Sequence, residues 1–590
     1  MVQPATIASV KGDFTRGALQ LHGANYRVRQ IKGAYFITES DLTGNAQEYR
    51  IDYTLGNRRV QHYLATLPSG RVVVLAPSWD VLRKQWFHNL EIADPYQSSE
   101  SNTVQVWNKS CYSCHVSQQE KNFDVENNVY KNTWLDFGTN CERCHGPGSD
   151  HAARYALGGP AAGSPAIVLQ TRLDAKRNTM VCAQCHSFRD IYVNGYMAGA
   201  DYYDYFLPIL EFDQPADRDP AYWPDGRTRR FSNDAFGFWQ SECYLKGGAT
   251  CLDCHTKPHE TEIERNPQLR PDANALCTRC HTALAENLTG HTHHLESSAG
   301  SSCVECHMPR TVVSIKAAIR DHSMSGPVPE NTIRHSIPNA CNQCHKDHDA
   351  AWALDRMNRW YPAAASRRKW ISRADAFTQA RAMDPHAIPL LLAILGEPSA
   401  GPLARANAAG YLGSFSFDPA ALAALKRALT DPEPVVRAIA ALYINPGPAD
   451  KAEAIDALRH SLSDSAATVR IAAMVSLVSH GVHQLPGEDG RRFDQAKQLF
   501  AARAELNSDD AEQDLAAGKF FYLTGDTAKA IRALRTSLML DPSTPARYLL
   551  ALAYVQQQNI VEARSLLQSI VPSDSQYARA QKLLMALAGK

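Results

Sequence analysis

The sequence predicts a mainly α protein built in series. A small β-rich N-terminal unit leads into a loop-rich central region, and a C-terminal α-solenoid of helical repeats follows. Three observations carry this. Polar and apolar residues alternate between turn signals in the N-terminal part. All 15 cysteines fall between Cys111 and Cys344. Beyond residue 350 the composition shifts to alanine and leucine at helical spacing with a fixed repeat. The expected divisions are 1–105, 106–350, 351–500 (HEAT-like) and 501–590 (tetratricopeptide-like).

The 590 residues exceed one domain, since domains run to roughly 100–200 residues. Lys and Arg number 61 and so do Asp and Glu. That balance gives no reason to expect a nucleic-acid partner or an anionic membrane surface. The longest apolar run, around Ala387 to Leu395, contains Pro389. It falls short of the roughly 18 residues that span a bilayer, so no transmembrane segment is expected.

In the N-terminal unit, Tyr26 to Ile31 alternates polar and apolar residues. Glu48 to Leu55 does the same and ends at Gly56-Asn57. Arg71 to Leu75 follows the turn signal Pro68-Ser69-Gly70.

In the central region, 14 of the 15 cysteines form seven copies of Cys-x-x-Cys-His. They are Cys111-Cys114-His115, Cys141-Cys144-His145, Cys182-Cys185-His186, Cys251-Cys254-His255, Cys277-Cys280-His281, Cys303-Cys306-His307 and Cys341-Cys344-His345. Two thiols three positions apart on one helical turn can reach both vinyl groups of one porphyrin. The adjacent imidazole then meets the iron. This is the attachment signature of c-type haem. A single copy would also suit half a zinc site or a redox dithiol. Seven copies with His in the same place, and one thiol left over, favour seven covalently attached haems c. A porphyrin is itself an apolar core element, so little regular structure is required around it. Two propionates per haem, one offset by ferric iron, bring the oxidised holoprotein to roughly −7. Haem attachment normally occurs outside the cytoplasm, which places the chain in the periplasm or outside the cell. Met1 to Thr15 shows no basic start followed by an apolar core, so the numbering reads as that of a mature or engineered chain.

A second imidazole on an iron makes it low-spin and six-coordinate, which suits electron transfer; an open face permits substrate binding. The candidates for the second face are His88, His151, His259, His291, His294 and His322. His151 follows His145 by six residues, at most about 20 Å of chain, too little to wrap its own porphyrin without strain. It is expected to serve a neighbouring haem, and so is His259, four residues after His255. His291, His293 and His294 form a cluster expected to supply one or two ligands. Asp321 is the expected orienting partner of His322. His335 is a weaker candidate. His22, His62 and His348 read as bystanders, and His386, His460, His480 and His483 as non-ligands.

The odd thiol, Cys243, reads either as a small buried hydrophobe or as a catalytic or axial sulfur beside an open haem, with Lys246 lowering its pKa. The aromatic stretches Tyr202 to Phe206 and Tyr222 to Asp225 read as a wall between haems or the lining of a pocket.

In the C-terminal region, Leu429-Thr430-Asp431-Pro432 leads to Val436-Arg437, and 33 residues later Leu462-Ser463-Asp464-Ser465 leads to Val469-Arg470. That period predicts stacked helix pairs, with the Asp capping each second helix. A second unit, Phe520 to Asp526 followed by Ala528 and Ala530, recurs around Leu552 to Val555 and Ala563.

The chain resembles the bacterial multihaem c-type cytochromes with C-terminal HEAT and tetratricopeptide repeats, whose haem domain is related to the tetrahaem cytochrome and octahaem reductase group. The segments that carry the likeness are Trp86-Phe87-His88, Cys141 to His151, Cys182 to His186, Thr250 to His259, Cys306-His307-Met308-Pro309, Arg320-Asp321-His322 and Pro338 to Cys341. The resemblance implies mostly bis-His haems in close pairs. There is no Cys-x-x-Cys-Lys motif, so the pentahaem nitrite reductase site does not carry over, and seven motifs rather than eight set the chain apart from octahaem enzymes. The expected function is electron transfer, with the repeats docking a redox partner or another copy. The alternatives are a reductase or dehydrogenase of a small nitrogen or sulfur compound near Cys243, and a wire subunit of a larger extracellular redox assembly.

Overall fold

The computed structural model describes residues 2–588 apart from 41–44, 92–104, 157–164, 215–219, 231–232, 256–272, 315 and 363–364. The chain is mainly α, with small sheets. Ten strands are described at the N-terminus: β1 (Val2–Pro4), β2 (Gly17–Leu21), β3 (Ala24–Ile31), β4 (Ala34–Ser40), β5 (Ala46–Arg50), β6 (Tyr53–Leu55), β7 (Val60–Thr66), β8 (Val72–Asp80), β9 (Gln85–His88) and β10 (Gln105–Val106). One sheet runs β1-β6-β7-β8-β10 with β9 paired to β8; the other runs β2-β3-β4-β5. Phe14, Val28, Ile37, Tyr63 and Trp86 lie in the buried core of this unit.

The alternating stretch from Glu48 to Leu55 is not one strand. It divides between β5 and β6, which belong to different sheets. The Ile51 amide donates to the Tyr35 carbonyl at 2.9 Å and the Asp52 amide to the Leu64 carbonyl at 2.9 Å. Adjacent residues are thus hydrogen-bonded to β4 and to β7, and the chain crosses between them. Gly70 (φ +71°) forms the turn before β8, where a Cβ would meet the Tyr130 carbonyl oxygen at 2.0 Å. Only glycine lets the central region dock there.

The central region is short helices, two- and three-residue ladders and loop. From Ala350 onward the chain is helical hairpins. The expected pairs appear as Pro419–Ala428 with Pro434–Tyr443 and Lys451–Ser461 with Ala467–Ser479. The two aspartates do not cap these helices as expected: the N-cap positions are Glu433 and Ala466, and each aspartate stands two residues earlier and holds the turn. Asp431 accepts the Glu433 amide at 2.9 Å and two bonds from Arg405, at 2.6 and 2.9 Å. Asp464 accepts the Ala466 amide at 2.8 Å and two bonds from Arg437, at 2.6 and 2.8 Å. Each aspartate therefore ties its own turn to the preceding repeat. Further on, Ala511–Leu523 and Thr527–Leu540 pack closely, because a Cβ on Gly518 would stand 2.5 Å from Leu534 Cγ.

One apolar core joins the repeats to residues 180–239 of the central region. Tyr202, Tyr203, Phe206, Tyr222 and Trp239 are buried in it together with Phe377, Leu412 and Val469. The aromatic stretch is thus packed against the solenoid. Polar contacts seal the seam. Glu211 accepts from Tyr411 at 2.7 Å, the Thr468 hydroxyl donates to the Tyr203 carbonyl at 2.7 Å, and the buried Asp509 accepts from Lys121 at 2.6 Å and Tyr130 at 3.0 Å. No helix of the described residues is long and apolar enough to cross a membrane.

Candidate haem-binding site

Each Cys-x-x-Cys-His motif closes one helical turn. In six, the His amide donates to the carbonyl of the first Cys at 2.9–3.1 Å; the remaining motif forms the helix Cys303–His307. The first cysteine, the second and the histidine thus share one turn, as the spacing requires.

Several motif imidazoles are oriented through Nδ1. His145 Nδ1 donates to the Val168 carbonyl at 2.7 Å. His186 Nδ1 lies 3.1 Å from Asp234 Oδ2. A donating Nδ1 leaves the Nε2 lone pair for a metal and strengthens it as a ligand. His151 and His294 are arranged alike, with Nδ1 donating to the Pro165 and Thr292 carbonyls at 2.7 and 2.6 Å.

Three motif histidines face a second imidazole. His255 and His322 have ring centres 6.3 Å apart at 19°, His307 and His291 6.1 Å at 7°, and His345 and His294 6.0 Å at 40°. Two metal–nitrogen bonds of roughly 2 Å, with about 1.1 Å from each nitrogen to its ring centre, need a separation of roughly 6 Å. Each pair is therefore spaced to hold one iron between its rings, and the residues fit a bis-His haem. Among the described residues no group of three or more His, Cys, Asp or Glu is arranged to hold a bare metal ion.

The other histidines divide by their partners. His293 stacks on Trp360 at 4.3 Å; His348 stacks on Trp352 at 4.4 Å, and its ring centre also lies 6.4 Å from that of His345, at 38°. His335 has Nε2 2.8 Å from Asp375 and Nδ1 3.2 Å from Thr378, so both nitrogens are engaged. His88 closes β9 with Nε2 3.1 Å from the Tyr26 hydroxyl and its ring 5.2 Å from that of His22. His259 lies outside the described residues. His62, read as a bystander, lies near the first motif. Its Nδ1 meets Ser78 Oγ at 2.9 Å and Asn89 Oδ1 at 3.1 Å, and burial pushes its pKa down to about 4.

Asp321 is not the partner of the His322 ring. It accepts from the buried Arg227 at 3.2 Å and from the Ser323 hydroxyl at 2.8 Å. Asp234 takes that place, with Oδ1 3.2 Å from His322 Nδ1. Burial opposes the charge of Asp234, but bonds to the His186 and His322 imidazoles outweigh it and hold the carboxyl well below its usual range.

The motifs follow one another through space. The Cys114 thiol lies beside that of Cys185, Cys182 beside Cys251 and Cys277 beside Cys303. Cys144 feels Cys182, Cys254 feels Cys280, and Cys306 feels Cys341. The first and second motifs thus meet the third, and the rest continue in chain order to the seventh. Cys243 sits beside the fourth and fifth motifs, half-buried against the solenoid core. Burial pushes its thiol up rather than down, and Lys246 pairs with Glu242 at 3.3 Å instead.

Four families match parts of the chain. Residues 79–146 match cytochrome c554 and c-prime, and residues 245–286 the doubled CXXCH motif. Residues 360–445 match HEAT repeats and residues 521–587 the tetratricopeptide repeat. The chain is thus a multihaem c-type cytochrome with C-terminal HEAT and tetratricopeptide repeats. Among solved structures, the outer cell wall cytochrome OcwA is similar at 18% identity over 63% of this chain and 88% of that one, with a TM-score of 0.39, too loose a likeness to assign a role. Comparison with curated proteins gives no match.

Proposed function

We propose that this protein is an exported electron carrier that moves electrons along seven covalently bound haems c, held in line by the helical repeats. The observation that carries this reading is the set of three facing imidazole pairs within an unbroken succession of motifs. Each bound haem supplies a reversible one-electron iron couple. The fourteen motif cysteines would tether the haems. His115, His145, His186, His255, His281, His307 and His345 would each offer one imidazole nitrogen to a haem iron. His322, His291 and His294 would offer the second imidazole at the fourth, sixth and seventh centres. Such pairs would leave little to rearrange as charge moves. His62 is assigned opposite His115, and His88, His151 and His259 are kept for the other centres.

Pyridine haemochrome quantitation with intact mass tests the count, and seven haems per chain is the expected result. Electron paramagnetic resonance of the oxidised protein is expected to show low-spin ferric signals without a high-spin component. A high-spin signal that cyanide abolishes would instead favour the reductase reading beside Cys243.

A further inference from the structure

We propose that Asp234 is a positioning residue shared by two haem centres, one carboxylate oxygen orienting His186 of the third motif and the other orienting His322, which faces His255 of the fourth. The inference rests on the reading of His186 and His322 as axial ligands. Asp234 Oδ2 is 3.1 Å from His186 Nδ1 and Oδ1 is 3.2 Å from His322 Nδ1. His322 Nδ1 has a second oxygen nearby, the Arg320 carbonyl at 3.2 Å.

The local fold leaves the carboxylate little freedom. Asp234 opens the short helix Asp234–Phe238, and the next amide, Ala235, donates to the His186 carbonyl at 3.1 Å. On the other side the helix presses on the His322 segment, where a Cβ on Gly237 would stand 3.2 Å from the His322 backbone. The helix is therefore a wedge between the third motif and the second-face ligand of the fourth. The same junction is where the Cys182 and Cys251 thiols meet.

An anion accepting from Nδ1–H makes an imidazole a stronger donor and favours ferric over ferrous iron. One carboxylate acting on two ligands lowers both potentials together. It also links the centres, since a change in the hold on one ring alters the charge left for the other.

The test is Asp234→Asn in the holoprotein. An amide can accept from one ring only through its oxygen and carries no charge, so both rings lose part of their hold. With haem content equal to the parent, spectroelectrochemical titration should show two of the midpoint potentials moving to more positive values. The low-spin resonance signals of the same two irons should change, and the other five centres stay in place. Asp234→Ala should shift the same two further. A shift of one potential, of none, or of all seven alike overturns the proposal. His322→Met separates it from the reading beneath it. If that variant leaves every resonance signal unchanged, the ligand assignment fails. If it alters one signal while Asp234→Asn moves no potential, the shared role of Asp234 fails alone.

Discussion

At the scale of single residues, the histidines show how little a side chain's identity says about its use. His62, His335 and His348 have the same ring. His335 spends both nitrogens on Asp375 and Thr378, and His348 spends its face on Trp352. His62 is partly buried, with Nδ1 held by Ser78 and Asn89. His62→Ala is therefore expected to turn one low-spin iron high-spin in the resonance spectrum, and His348→Ala to leave the spectrum unchanged. Neighbouring residues can also mislead. Asp321 adjoins His322 but serves Arg227, because a buried guanidinium must be paired. The ring is served by Asp234, brought in from a separate helix.

At the scale of the element, the repeats are held by charges as well as by alanine and leucine. The Arg405–Asp431 pair is almost wholly buried, with side chains 7% and 9% exposed. Removing one partner of such a pair strands the other and costs on the order of 3 kcal/mol. Asp431→Ala should accordingly lower the melting temperature of the holoprotein, and an unchanged temperature would refute the structural role given to the pair. Asp514 is the opposite case. It is buried, its Oδ2 has no partner, and burial with nearby Asp510 and Asp509 pushes its pKa up to about 8 from an ordinary 3.8. A carboxyl raised in the fold costs nothing below its unfolded pKa, costs more as pH rises, and costs its full amount above about 8. Asp514→Asn should raise the melting temperature. The gain should widen from pH 5 to pH 8 and then level, as thermal scans across that range would check.

At the scale of the molecule, the solenoid is a clamp on its own chain. HEAT and tetratricopeptide repeats suggest protein–protein interaction, and here helices 402–414, 434–443 and 467–479 already meet residues 203–213. Any docking partner must use what that segment leaves free. A chain ending at residue 350 would uncover Tyr202, Tyr203 and Trp239, now at most 2% exposed. Such a chain is expected to aggregate, measured as the loss of soluble haem-loaded protein; a soluble, fully loaded fragment would show that the seam is dispensable.

The seven motifs, the small β unit and the helical repeats were legible in the chain because each is a local pattern. A thiol pair on one turn, an alternation along a strand and a period in a solenoid are set by residues a few positions apart. His291, His294 and His322 stood out as candidates for a similar reason, each standing near a motif or within a histidine cluster. The division of Glu48–Leu55 between two sheets, the role of Asp234, the fate of Asp321, the surroundings of His62 and the self-docking of the aromatic segment were not. Each depends on which surface a residue meets after the chain has folded back over tens or hundreds of positions. The sequence determined which motifs can hold haem; the tertiary structure decided which imidazoles lie near each other and which carboxylate touches two of them, because such contacts are set by distance in space rather than along the chain.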